Sequence, residues 1–309
     1  MSLLKILTLS GPTASGKTAV ASEISKRLPV EIISFDSMQV YRGMSVTTQA
    51  PSRQAALKSK THLVSFLRPT EEYNAALFRK NALALIPKIL KKKKIPFLVG
   101  GTGLYLRALL DGLFESGGNA APGDEKLRHK LVKEHELHGA PYLHDQLKAV
   151  DEILAKKIHP NDARRIIRAL EVYALTGRPM SGQMSNRKGI SGQYDCRVFF
   201  LNRDRADLYA RVNRRVDKMF RAGLVAEVKK LIRRKLSKTA GMALGVRETA
   251  AYLQGELTLR EAKELLKKNT RNYAKRQISW FRHERDVQNI AVAAGDTAED
   301  IAKKILSRW

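Results

Sequence analysis

The segment Gly11-Pro-Thr-Ala-Ser-Gly16-Lys17-Thr18 has the spacing G-x-x-x-x-G-K-[ST]. Glycines at these places let successive backbone N–H groups close around phosphate oxygens. Gly11, Thr13, Ala14, Ser15 and Gly16 would form that cradle. Lys17 would reach the terminal phosphate, and the Thr18 hydroxyl would ligate Mg²⁺. The pattern specifies a di- or triphosphate and says nothing of ATP hydrolysis. Two other places carry chemistry. Asp36 follows an apolar run, so its carboxylate could hold a cation through water, act as a base, or simply cap the next turn. Its neighbours Ser37, Gln39, Tyr41 and Arg42 are polar or amphipathic, and a Gln39 amide could pair with an adenine edge. Gly100-Gly101-Thr102-Gly103 ends another apolar run. There Thr102 would donate to a phosphate oxygen or a leaving group, or else cap a helix.

These residues need a scaffold that brings them together. Residues 3–11 read as a strand entering a loop. Lys17 to Leu28 has helical spacing (Val20, Ile24, Leu28) and stops at Pro29. Residues 30–37 read as a second buried strand, 61–67 as a short third, 73–90 as a helix, and 95–103 as a strand running into glycines. Strands alternating with helices predict an α/β fold, a parallel sheet with helices on both faces. In such a sheet the carboxyl ends of the strands face the ligand crevice, so the three sites converge at one edge. Two Gly/Pro-rich stretches, 115–124 and 176–192, bracket residues that are helical with no strand candidate. Strand character resumes at 196–202. The expected organisation is a discontinuous core of residues 1–115 and 193–309, with a helical insertion at 116–192. After the last strand the chain reads as mainly helical. Ala262, Leu265, Leu266, Asn269, Tyr273, Trp280 and Phe281 share one helical face, and the three aromatics read as core.

The chain of 309 residues has 57 Lys+Arg and 30 Asp+Glu, a formal charge of +27. That excess favours a polyanion such as nucleic acid. It is spread over the whole sequence and does not locate the partner. Arg164, Arg165 and Arg168 lie on one helix after Asn161-Asp162, as a solvated face or a contact to phosphates. Cys196 is the single cysteine, which excludes a disulfide framework and a multi-Cys zinc site. His135, His138, His144 and His159 lack metal-ligand spacing. No apolar run is long enough to span a membrane, and none reads as a signal peptide. A cytoplasmic location, with no membrane partner, is the expectation.

GPTASGKT (11–18), DSMQVYRGM (36–44), LVGGTGLYLRALLDGL (98–113), IHPNDARRIIRALEVYALTG (158–177), RVNRRVDKMFRAGLVAEV (211–228) and TRNYAKRQISWFR (270–282) occur in this order. In order and spacing they resemble the tRNA dimethylallyltransferases, over about residues 3–285. The resemblance implies a P-loop NTPase-like sheet with a helical, tRNA-contacting insertion. It implies that the phosphate loop holds the diphosphate of dimethylallyl diphosphate with Mg²⁺, and that ATP is not consumed. The exocyclic amine of an adenosine just 3′ of the anticodon would attack the allylic carbon, after that base is extruded from the anticodon stem-loop. By the same resemblance Asp36 is the general base, Thr102 contacts the reacting centre, and Arg128 helps diphosphate leave. Ser37, Met38 and Gln39 would contact the flipped adenosine and its neighbours. Arg164, Arg165, Arg168, Arg211, Arg215, Gly245 and Arg247 fall on tRNA-contacting stretches, and a monomer is expected.

The chain departs from the family at several of these places. Ser45, Thr47 and Gln49 stand for the usual Asp, Gly and Lys, Val246 for Tyr, and Arg164 for Gln. These departures bear on rate and on the preferred anticodon loop. Because Lys17, Thr18, Asp36 and Thr102 are all present, the expectation is a divergent but active enzyme. Three alternatives stay open from the residues alone. They are an adenylate dimethylallyltransferase acting on free nucleotide, an ATP-dependent small-molecule kinase, and a non-catalytic tRNA-binding relative.

Overall fold

The apolar runs that end in glycine or polar residues become buried strands. A computed structural model describes residues 3–51, 54, 56, 59–113, 125–183, 187–284 and 286–309. Along the chain come β1 (Lys5–Ser10), α1 (Lys17–Ser25), β2 (Val30–Phe35), β3 (Thr61–His62), α2 (Ala75–Lys91), β4 (Ile95–Gly100) and α3 (Gly103–Leu110). Helices α4 (Glu125–Val150) and α5 (Ala163–Thr176) follow. Then come β5 (Asp195–Arg203), α6 (Arg205–Arg221), α7 (Leu224–Leu231), α8 (Val246–Leu253), α9 (Leu259–Arg282), β6 (Val287–Val292) and α10 (Ala298–Leu306). Chain contacts divide these into two compact units, Met1–Leu110 with Ser191–Trp309, and Asp111–Ile190.

The first unit holds one sheet in the order β3-β2-β4-β1-β5-β6. Every pairing is parallel, for example Leu7 beside Phe97 and Thr8 beside Val198. Period-two alternation sends Leu7, Leu9, Phe199 and Leu201 to one face. There they pack with Val20 and Ile24 of α1 and Ile301 and Ile305 of α10. Phe200 has the opposite parity and stacks on Phe281 of α9, with ring centroids 5.0 Å apart. Helices therefore cover both faces, as parallel sheets require. Each fully buried Leu or Ile contributes roughly 2 kcal/mol by leaving water.

Helix α9 starts at a capping box, in which Thr258 Oγ1 accepts from the Glu261 N–H and Glu261 accepts from the Thr258 N–H. Its buried stripe is Ala262, Leu266, Thr270, Ala274, Gln277 and Phe281. This corrects the face read from sequence. Leu265 is exposed and Asn269 is half-buried, so the stripe is rotated and carries two polar side chains inward.

Two strand readings also change. The strand expected over 61–67 spans only Thr61–His62, because Leu63 (φ 62°) and Ser65 (φ 48°) take left-handed backbone that breaks the extension. The C-terminal region, read as helical, contains the edge strand β6, whose six residues pair with β5.

Among its described residues the second unit has helices and no strand. Helix α4 breaks at Gly139, where φ is 80°. Leu131, Leu143 and Leu147 of α4 pack with Ile166 and Leu170 of α5. The stretch 115–124 read as a linker lies outside the described residues, as do 184–186 of the second one.

Candidate active site

Four neighbouring strands, β2, β4, β1 and β5, deliver the site at their carboxyl ends. After β1 the chain turns through Gly11–Gly16 into α1. Gly16 has φ 101°, a left-handed conformation that strains any side chain with a Cβ. The loop closes with the Ser15 N–H donating to Pro12 O at 3.2 Å. Lys17 Nζ donates to the carbonyls of Gly11 and Pro12, each at 2.8 Å. Behind the loop, Arg203 at the end of β5 donates from Nε to Ser15 O at 3.1 Å and from a terminal nitrogen to Asp207 at 2.8 Å. Its side chain is almost fully buried, so the loop leans on a fixed cation. The first turn of α1 holds no acidic residue, which leaves its positive end free to favour an anion.

Asp36 follows β2. Its Oδ1 accepts from the N–H groups of Met38 (2.9 Å) and Gln39 (3.3 Å). Among the described residues its Oδ2 takes no hydrogen bond. The carboxylate thus caps its own turn with one oxygen and leaves the other unengaged. Thr102 follows β4. Its hydroxyl accepts from Ser37 N–H at 3.1 Å and donates to Ser37 Oγ at 3.4 Å. The side chain ties its turn to the Asp36 turn rather than capping α3.

A cleft of 680 Å³ is lined by every residue from Thr13 to Thr18, and by Asp36 and Gln39; Thr102 does not line it and is joined to its wall through Ser37 of the Asp36 turn. Helix α6 adds Arg211, Arg214, Arg215 and Lys218, whose spacing of three, one and three residues keeps them on one helical face. Gln49, Tyr273 and Gln277 complete the wall. Five cationic side chains (Lys17, Arg211, Arg214, Arg215, Lys218) therefore line the cleft with one carboxylate. Arg211 is already held by Asp207 at 3.0 Å.

Burial lowers Lys17 to about 8, against the pull of Asp36 and with the help of Arg215. Burial also lowers Arg215, while Asp36 opposes it. The Tyr273 phenol is raised by burial and by the negative charge of Asp36, with Thr102 beside it acting the other way. Mutually tuned charges of this kind mark a functional site. The residues also fit Mg²⁺. The Thr18 hydroxyl and the Asp36 carboxylate are hard oxygen donors in one cleft, and Ser15 Oγ is buried in the loop without a partner among the described residues.

Sequence reasoning misses Arg203, Arg214, Lys218, Tyr273 and Gln277 as site residues, while Gln49, which it marks as a departure from the family, lines the cleft. Arg214 and Lys218 follow Arg211 at helical spacing, a signal that was readable. Tyr273, a core residue by its helical face in the sequence, is instead half-buried and faces the cleft.

The other expected site residues lie elsewhere. Ser37 and Met38 are half-buried in the Asp36 turn and do not line the cleft. Gly245 begins α8 with φ 98°, its N–H donating to Glu248 at 2.9 Å. Arg247 is exposed and lines a separate hollow of 220 Å³ with Asn269, Asn272 and Arg276. The divergent stretch after Met44 is a short helical turn, Ser45–Thr48. Its Val46 and Thr47 N–H groups and the Thr47 hydroxyl all donate to Glu227 of α7, at 2.9, 2.7 and 2.6 Å. Thr47 thus adds a bond that a glycine there would not make. In the helical unit Asp162 caps α5, and Arg164 and Arg165 are exposed. Arg128 forks onto both oxygens of the buried Glu171, which Arg168 also contacts.

The family model described as IPP transferase matches residues 39–284, and the one described as isopentenyl transferase matches residues 4–68. The tRNA dimethylallyltransferase of Carboxydothermus hydrogenoformans is 41% identical over 304 residues, covering 98% of this chain and 96% of that protein. The tRNA dimethylallyltransferase 2 of Geotalea uraniireducens is 45% identical over 280 residues, covering 90% and 89%. Among solved structures, the tRNA isopentenylpyrophosphate transferase of Bacillus halodurans superposes with TM-score 0.70 at 38% identity, covering 98% of this chain and 96% of that one. A eukaryotic dimethylallyltransferase acting on tRNA gives TM-score 0.81 at 26% identity, covering 98% and 77%. The sheet with its phosphate loop is thus P-loop NTPase-like, and the chain belongs to the tRNA dimethylallyltransferase (IPP transferase) family.

Proposed function

We propose that this protein transfers the dimethylallyl group of dimethylallyl diphosphate to the exocyclic amine of the adenosine 3′-adjacent to the anticodon of tRNA, releasing diphosphate. One observation carries the reading. A phosphate loop, flanking cations and a carboxylate with one unengaged oxygen share a single cleft.

In the reaction the amine nitrogen forms a bond to the allylic carbon. The bond from that carbon to the diphosphate oxygen breaks, and its electron pair leaves with the oxygen. The amine proton passes to Asp36 Oδ2, which needs no unusual basicity because the proton is lost only as the new bond forms. Loop N–H groups, Lys17 and Arg215 stabilise the charge that builds on diphosphate. Thr18, with Asp36 nearby, would hold Mg²⁺, and that ion when bound neutralises part of the diphosphate charge. Thr102 orients the acceptor side through its bonds to Ser37. Tyr273 offers an aromatic wall to the prenyl chain.

Ser37, Met38, Gln39, Gly245 and Arg247 are proposed to meet the RNA from the core unit, with Arg211 and Arg215. Arg164, Arg165 and Arg168 of the helical unit are proposed as further RNA contacts, and Arg128, paired with Glu171, as an aid to diphosphate departure. A tRNA substrate implies work in the cytoplasm. Among the described residues no helix is long and apolar enough to cross a membrane.

Mass spectrometry of an anticodon stem-loop incubated with protein, Mg²⁺ and dimethylallyl diphosphate tests the reading. AMP plus the same donor, and ATP alone, are run in parallel. One five-carbon prenyl unit gained by the RNA alone is the expected result. Prenyl-AMP or ATP turnover with unmodified RNA would overturn it.

A further inference from the structure

Gln277 sits on the inward stripe of α9 and is 7% exposed. Its carboxamide is engaged at both ends. Oε1 accepts from the Thr13 N–H at 2.8 Å, and Nε2 donates to Gly101 O at 2.9 Å. Thr13 belongs to the phosphate loop after β1. Gly101 belongs to the turn after β4 that carries Thr102. The amide orientation is forced, since one partner can only donate and the other only accept. Gly101 leaves no slack, because a Cβ there would stand 2.4 Å from Gln277 Nε2.

We infer that Gln277 is a positioning residue for group transfer, a strut that sets the distance between the donor's phosphate loop and the turn that orients the acceptor. The inference rests on the proposed reading of the cleft. Its physical basis is that transfer rates depend steeply on the separation of reacting atoms, and a displacement of about 1 Å can cost about 100-fold. The strut acts on the relative placement of two loops. Its loss therefore slows the chemical step by a larger factor than it weakens binding.

The test uses the full chain with two separate variants. Gln277→Met keeps the length and removes both hydrogen bonds. Gly101→Ala keeps the amide and displaces it. For each, melting temperature, affinity for inorganic pyrophosphate and for an anticodon stem-loop, and the single-turnover rate of prenyl transfer are measured. Amide hydrogen exchange is followed over residues 11–18. The expected result is a rate constant about 30- to 100-fold lower in each variant. Both affinities should stay within about threefold, and exchange in the loop should be faster. The two losses should combine less than multiplicatively in the double variant, because both act through one contact.

A rate constant within about threefold of the unmodified protein would overturn the inference. So would a loss fully matched by weaker binding or by unfolding. Should the unmodified protein transfer nothing to RNA, the functional reading fails on its own. Loop exchange then still decides the strut, and exchange unchanged in Gln277→Met would contradict it.

Discussion

The phosphate loop concentrates the most consequential single charge, Lys17. Burial lowers it to about 8, so it is protonated below that value and increasingly neutral above it. Affinity for inorganic pyrophosphate should therefore fall as pH rises from about 7 to about 9, and a titration by calorimetry would follow it. In Lys17→Arg the inflection should disappear, since a guanidinium stays charged throughout. Lys17→Ala should cost roughly 10²- to 10³-fold in transfer rate. At this scale the sequence was most informative where chemistry is local. Eight consecutive residues define the loop, and Asp36 and Thr102 each follow the end of a strand. Tyr273 and Gln277 were not legible, because the rotation of a 24-residue helix on the sheet decides whether they meet core or cleft. That rotation is set by packing against Phe200, a contact between remote parts of the chain.

At the scale of elements, β1, β2 and β4 were legible because their apolar runs stop at glycine or polar residues. β6 was not, because as an edge strand it is only partly buried, and Gln288 and Asn289 dilute its apolar signal. β3 was overread, since two left-handed residues end it after His62. The sheet also buries one acidic side chain at the amino end of β2. Burial pushes the Glu31 carboxyl up, but hydrogen bonds from His62 (2.9 Å), Lys94 (3.0 Å) and Lys92 (3.3 Å) outweigh it and hold the group at about 2. A carboxyl depressed on folding contributes stability that is present above about 4.5 and lost as pH falls toward 2. Glu31→Gln should accordingly lower stability by on the order of 2 kcal/mol at pH 7. Denaturant unfolding should show that gap closing as both proteins are taken to acid pH.

For the whole molecule, an excess of 27 positive charges predicts RNA binding dominated by phosphate contacts. Its affinity should fall linearly with salt on a logarithmic scale, about 0.7 to 0.9 of slope for each phosphate neutralised. Pyrophosphate, proposed to bind within the cleft, should be less salt-sensitive. A double variant, Arg164→Ala with Arg165→Ala, removes two exposed cations of α5. It should weaken stem-loop binding, reduce the salt slope by about 1 to 2, and leave pyrophosphate affinity unchanged. The composition foretold a polyanionic partner. It could not say where the RNA lies, because basic residues are dense in both units.

One cleft is proposed to hold both the donor diphosphate and the base for the acceptor amine. Single-turnover transfer by Asp36→Asn tests it most directly, with pyrophosphate and stem-loop affinities measured on the same sample. The substituted carboxamide keeps an acceptor oxygen for the Met38 and Gln39 N–H groups but can take no proton. The expected transfer rate is lower by about 10²- to 10⁴-fold, with both affinities within about threefold of the unmodified protein. Transfer at the unmodified rate would contradict it.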